Sequence, residues 1–175
     1  MRFLSFAFLF LLSFSVSAAL IYPPSISVIS GTTSGTLAST QVQDQTGTAD
    51  DSSKYLALIP NASKVSTTRY EFTIPTGSID KLVLNVNFKG KPKTIQTWKF
   101  QAWDNVGAAW INIADNTSAV DGEWSAITGQ IVAADFTKYV NTSNILKFRI
   151  VTTNPLTTDT AKLDQLAFDV VSTPI

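Results

Sequence analysis

Apolar residues recur at every second position through much of this chain. In KLVLNVNF, Leu82, Leu84, Val86 and Phe88 fall on one face, and Val83, Asn85 and Asn87 on the other. RYEFTI sets Tyr70, Phe72 and Ile74 against Arg69, Glu71 and Thr73. TWKFQAW sets Trp98, Phe100 and Ala102 against Lys99, Gln101 and Trp103, and LKFRI sets Leu146, Phe148 and Ile150 against Lys147 and Arg149. This period of two is that of a strand with one buried face. Turn-forming stretches separate the runs: Pro75-Thr76-Gly77, Gly90-Lys91-Pro92, Asp104-Asn105, Asp121-Gly122 and Asn154-Pro155. Further strands are expected near 36–44, 54–60, 109–114, 123–132 and 163–171. The helical candidate is AADFTKYV at 133–140, short enough to be a single turn. Roughly eight to ten strands at such spacing predict an all-β, two-sheet antiparallel β-sandwich. Alternation alone leaves jelly-roll and immunoglobulin-like topologies open.

The N-terminus departs from this pattern. MRFLSFAFLFLLSFSVSAA carries one charge, Arg2, then a run rich in Phe and Leu that ends in small residues. That is the layout of a secretory signal peptide over residues 1–19, with cleavage expected after Ala18 or Ala19. The run is shorter than the about 20 residues of a membrane span and carries several serines, so no span is expected. Residues 20–175 are then one domain, secreted and extracellular.

Composition narrows the chemistry. There is no cysteine, so packing or a bound ion must hold a secreted fold together. There is no histidine, which removes Ser-His-Asp and Cys-His catalysis and histidine-ligated zinc. Loss of Arg2 with the leader leaves 12 of the 13 basic residues against 13 acidic ones, a balance unlike that of a nucleic-acid binder. Asn61, Asn116 and Asn141 each head an Asn-X-Ser sequon and are candidate glycosylation sites on surface loops.

Acidic residues supply the candidate metal ligands. In LDQLAFDVV, Asp164 shares parity with Leu166, Phe168 and Val170, so it is expected to point toward the core. An unpaired buried carboxylate is costly and needs partners or a cation. Either Asp164 stays wet at a strand end and accepts backbone hydrogen bonds, or it helps to hold a structural Ca²⁺. Asp50 and Asp51 in the Thr/Asp/Ser loop are the early partners for such an ion, with Asp44 and Asp159 in reserve.

The order of these segments, SGTLASTQVQD, DDSSKYLAL, YEFTIP, LVLNVNFKGK, WKFQAWDNVGAAW, YVNTSNILKFRIVTT and AKLDQLAFDVV, resembles the galactose-binding-like β-sandwich family of carbohydrate-binding modules. The likeness is greatest to small secreted modules, some of which accompany polygalactosaminidase-type enzymes. The resemblance implies a jelly roll and a structural Ca²⁺ between an early segment and an acid of the last strand, where Asp164 stands. The first-strand glutamate common in calcium-binding members is not evident.

Sugars offer apolar ring faces for stacking and hydroxyls for hydrogen bonding. Trp103, Trp110 and Trp124 are candidate stacking platforms, or else core and edge packing, whereas Trp98 is in phase with Phe100 and should be core. Asn85, Asn87, Lys99, Gln101 and Arg149 fall on outward positions and are candidates for one polar sheet face, or else an ordinary solvated one. The leading expectation is a secreted, non-catalytic, lectin-like module that binds cell-wall or surface glycan. The alternative is a structural or adhesive protein that binds another protein. A glycoside hydrolase with paired aspartates ranks third, for want of a cleft of paired acids.

Overall fold

In the computed structural model, which describes residues 17–153 and 158–172, eleven strands form two antiparallel sheets. They are β1 Ser17–Ile21, β2 Ile26–Ser30, β3 Thr32–Ser34, β4 Leu56–Ile59, β5 Ser66–Thr73, β6 Lys81–Lys89, β7 Trp98–Asp104, β8 Ala109–Asp115, β9 Trp124–Val132, β10 Ile145–Thr152 and β11 Ala161–Ser172. One sheet runs β3-β4-β11-β6-β9, with β1 also paired to β11, and the other runs β2-β5-β10-β7-β8. From β4 onward the chain changes sheet at nearly every step, and only the β7–β8 hairpin keeps to one sheet. This crossing pattern is the jelly roll expected from the resemblance. Residues 1–16 of the expected leader lie outside the described residues, while 17–19 pair along β11 as part of β1.

The alternating positions meet between the sheets. Leu82, Leu84 and Phe88 of β6 are fully buried, as are Phe72, Trp98, Phe100, Leu146, Phe148 and Phe168. Phe72 and Phe168 meet edge-on at 5.0 Å, Phe148 and Phe168 at 5.7 Å, and Phe88 and Phe100 at 5.9 Å. Edge-to-face packing sets each ring's positive rim on its neighbour's electron-rich face. Trp98 belongs to this core, as its phase predicts.

Strands β1–β3 over residues 17–34 were not among those expected, and two further regions differ from the sequence expectation or refine it. The stretch 36–44 is a 3₁₀ turn at Leu37–Thr40 followed by loop, not a strand. Leu37 packs on the core and Thr40 Oγ1 donates to Leu37 O, so local hydrogen bonding wins over β propensity. The 133–140 candidate is a 3₁₀ turn running into a single α-helical turn, α1 Phe136–Tyr139, as expected of so short a segment.

Candidate functional site

The outer face of the five-stranded sheet gathers an aromatic and cationic group. Because Trp98, Phe100 and Ala102 point inward, Lys99, Gln101 and Trp103 must point outward. Register then aligns Ser27, Arg69, Arg149, Gln101 and Asn112 as successive partners across all five strands. Trp103 is the register partner of Trp110, and the two rings meet edge-to-face at 5.3 Å. The Arg149 guanidinium lies over Trp110 with Cζ 4.5 Å from the ring centroid, and Arg69 Cζ lies 5.7 Å from the same centroid. Arg149 Nε donates to Gln101 Oε1 at 2.7 Å. Partial burial, and then the charge of Arg69, pull the Arg149 guanidinium below its ordinary value.

The β7–β8 hairpin holds the tryptophans in register. Asp104 Oδ1 accepts from the backbone N–H groups of Val106 and Gly107 at 2.9 and 2.8 Å, and these bonds, that of Gly107 first, keep its carboxyl below the usual carboxylate range. A Cβ at Gly107 would come within 2.8 Å of Asp104 Oδ2, so a larger residue would push that carboxylate aside. Opposite β7, Ile113 is the extra residue of a β-bulge, which returns Asn112 and Trp110 to the outer face. Four of the residues singled out from sequence, Trp103, Trp110, Gln101 and Arg149, therefore converge. Arg69 and Asn112 were missed. Outward parity marked Arg69, but only strand pairing sets it opposite Arg149.

Lys99 stays on this sheet, whereas Asn85, Asn87 and Trp124 lie on the other, so the expected single polar face divides in two. Asn85 is half-buried there, and its amide donates to Val83 O at 3.3 Å. Asn87 is buried beneath the 41–51 loop, its amide donating to Gln45 O and to Asp164 Oδ2, each at 2.8 Å. Trp124 is not a platform but a clamp. It is buried, its Nε1 donates to Ala49 O at 2.7 Å, and its ring tilts against Tyr55 at 5.9 Å. Lys89 works beside it, Nζ donating to Thr48 O at 3.0 Å and Ala49 O at 2.8 Å. The loop thus closes over a second, smaller apolar cluster of Tyr55, Ala57 and Trp124.

Asp164 does not enter the inter-sheet core. It is the extra residue of a β-bulge between Leu163 and Gln165, which turns it to the outer side, where the 41–51 loop buries it completely. Its Oδ2 accepts from Asp44 N at 3.0 Å, Gln45 N at 2.9 Å and Asn87 Nδ2. Burial pushes its carboxyl above the usual value, and the neighbouring Asp44 carboxylate adds to that rise. Asp50 and Asp51 do not join it. Asp50 pairs with Lys162 at 2.6 Å, while Asp51 accepts from Ser53 N and Ser53 Oγ at 3.0 and 2.7 Å. Both are held below the usual carboxylate range, Asp50 chiefly by Lys162 and Asp51 by Ser53.

Calcium needs several oxygens converging on one point. Among the described residues no three of His, Cys, Asp and Glu group to hold an ion. The carbonyls of residues 48 and 49 face the Lys89 ammonium instead, and Lys54 takes Asp44 Oδ2 at 2.8 Å. Asp164 Oδ1 has no hydrogen-bond partner, yet one free oxygen beside a lysine-paired aspartate falls short of the ligand set Ca²⁺ requires. The residues present do not fit the implied ion.

The sequons also differ in access. Asn61 is exposed, and the Asn141 side chain accepts from Ser143 N and Ile145 N in an open turn. Asn116 is fully buried, its amide donating to Lys91 O and Gln96 O while its Oδ1 accepts from Trp98 N. A glycan there would displace a core strand. Peptide mass mapping of protein from a glycosylating secretory host is expected to find Asn116 unmodified, with any glycan confined to Asn61 and Asn141.

Residues 40–165 match the family model of an N-terminal glycosyl-hydrolase-114-associated domain. No curated protein matches the sequence. Among solved structures, a family 22 xylan-binding domain from Paenibacillus barcinonensis is similar at 13% identity, with 90% of this chain and 86% of that chain covered and a TM-score of 0.49. A family 35 module from Cellvibrio japonicus is similar at 12% identity over 91% of this chain and 99% of that one, with a TM-score of 0.42. A family 29 module solved with cellulohexaose is similar at 8% identity over 88% and 91% of the two chains, with a TM-score of 0.45.

Proposed function

Because the chain belongs to the family of N-terminal glycosyl-hydrolase-114-associated domains, we propose that it is a secreted, non-catalytic module that binds glycan through the outer face of its five-stranded sheet. The carrying observation is the Trp103–Trp110 pair braced by Arg149 and Gln101 on one rigid face. Strands hold these side chains in fixed register, so little ordering is left for binding to do. Trp103 offers ring surface to an apolar sugar face. Gln101 orients Arg149, and Asn112 stands beside it to meet hydroxyls. The titrating groups support binding rather than chemistry. Asp44 and Asp164 lie side by side, and Asp164 is wholly inaccessible to a substrate.

A glycan array followed by isothermal titration calorimetry tests this. Trp103→Ala is expected to weaken binding about tenfold, the loss of one stacking contact, with the thermal midpoint little changed. A blank array with correctly folded protein would overturn the glycan reading and favour a protein partner.

A further inference from the structure

Arg69 and Arg149 are direct register partners on β5 and β10. Like charges set opposite one another in an antiparallel pair repel, and such placement costs stability unless something offsets it. Here no carboxylate does. Among the described residues every ion pair is made by lysine, and neither guanidinium touches an acid. On the outer face of this sheet Lys147 stands opposite Glu71 and Lys99 opposite Asp115, so Arg69 and Arg149 are the cations left facing each other, on a chain with 13 basic and 13 acidic residues overall. The excess of positive charge is therefore local.

Arg149 is also oriented in advance. Trp110 lies beneath its plane and Gln101 takes Nε, while its two Nη groups have no acceptor among the described residues. A guanidinium held this way presents an open fork suited to donating two parallel hydrogen bonds to one planar carboxylate. We propose that this face selects glycans that carry carboxylate groups, uronic-acid polymers, with Arg69 and Arg149 as the anion-binding pair. The proposal rests on the glycan-binding reading above and narrows it. A uronate places its carboxylate at the edge of the sugar ring, so the charge meets the arginines while the ring face lies toward Trp103. Neutral sugars leave the arginine pair unneutralised, and amino sugars are repelled by it.

Calorimetry with the purified protein compares polygalacturonate, its fully methyl-esterified form, a neutral cello-oligosaccharide, a chitosan oligosaccharide and a sulfated polysaccharide. Polygalacturonate is expected to bind at least tenfold more tightly than the methyl ester, and to weaken as salt rises. Arg69→Gln, an exposed position, and Arg149→Lys, which keeps charge but loses the fork, are each expected to reduce that preference severalfold. Equal affinity for the ester and the free acid overturns the carboxylate assignment and leaves glycan binding standing. Preference for the sulfated polymer or for chitosan overturns it likewise. Absence of binding to every polysaccharide overturns both.

Discussion

Asp164→Ala is expected to lower the free energy of unfolding by about 3 kcal/mol, read from urea or guanidinium titration. One oxygen of this carboxyl accepts three N–H groups, from the backbone of residues 44 and 45 and from Asn87. Gln45 and Asn87 are themselves buried, so two of the donors cannot turn to water once the acceptor is gone. Leaving buried donors unpaired costs about 1–3 kcal/mol each, and because the three share one acceptor their losses do not simply add. Asp164→Asn separates geometry from charge. It keeps a carbonyl oxygen for the three donors and turns an amide toward Asp44, whose carboxylate already disfavours a charge at 164. Its cost is expected to be about 1 kcal/mol. If Asn proves as damaging as Ala, charge rather than acceptor geometry holds the loop.

That bulged aspartate also marks the limit of what alternation can tell. Period two placed Leu82, Leu84, Val86 and Phe88 correctly because hydrogen-bonded pairing of β6 with β9 is unbroken along that strand's length. Parity failed at Asp164 because one inserted residue shifts the facing of its neighbours in the strand, and nothing in LDQLAF announces an insertion. Asn87 was legible as facing away from the core, yet the 41–51 loop that covers it comes from a distant stretch whose path no local pattern records. Trp103 and Trp110 were each visible as candidates. Their meeting depended on a hairpin register that Asp104, Gly107 and the Ile113 bulge set together. Arg69 could be placed outward by its phase with Glu71, whereas its partner is fixed by the pairing of β5 with β10, segments far apart in the chain. Local chemistry thus showed which way side chains face, and long-range pairing decided which of them meet.

The same loop supplies the second large effect, at Lys89, the last residue of β6. Lys89→Met is expected to cost about 2 kcal/mol and to lower the thermal midpoint by about 4–8 °C. Methionine preserves an unbranched stem, so the loss isolates the ammonium, which lies 5.9 Å from the Trp124 ring centroid. That ammonium is buried and bonds the carbonyls of Thr48 and Ala49. Ala49 O retains the Trp124 Nε1 bond in the variant, but Thr48 O loses the partner it has here. The loop should then open toward solvent, with faster proteolysis between residues 46 and 53 and a red shift of Trp124 emission. Lys54 on Asp44 and Lys162 on Asp50 brace the same segment from its two ends, each near the surface where single pairs contribute little. Three ammonium groups therefore face the loop in which the resemblance implies a Ca²⁺ ion. EDTA should accordingly leave the midpoint of the unsubstituted protein unchanged, and added Ca²⁺ should not rescue Lys89→Met. A drop of several degrees in EDTA, reversed by Ca²⁺, would mean that these lysines share the loop with a metal rather than replace it.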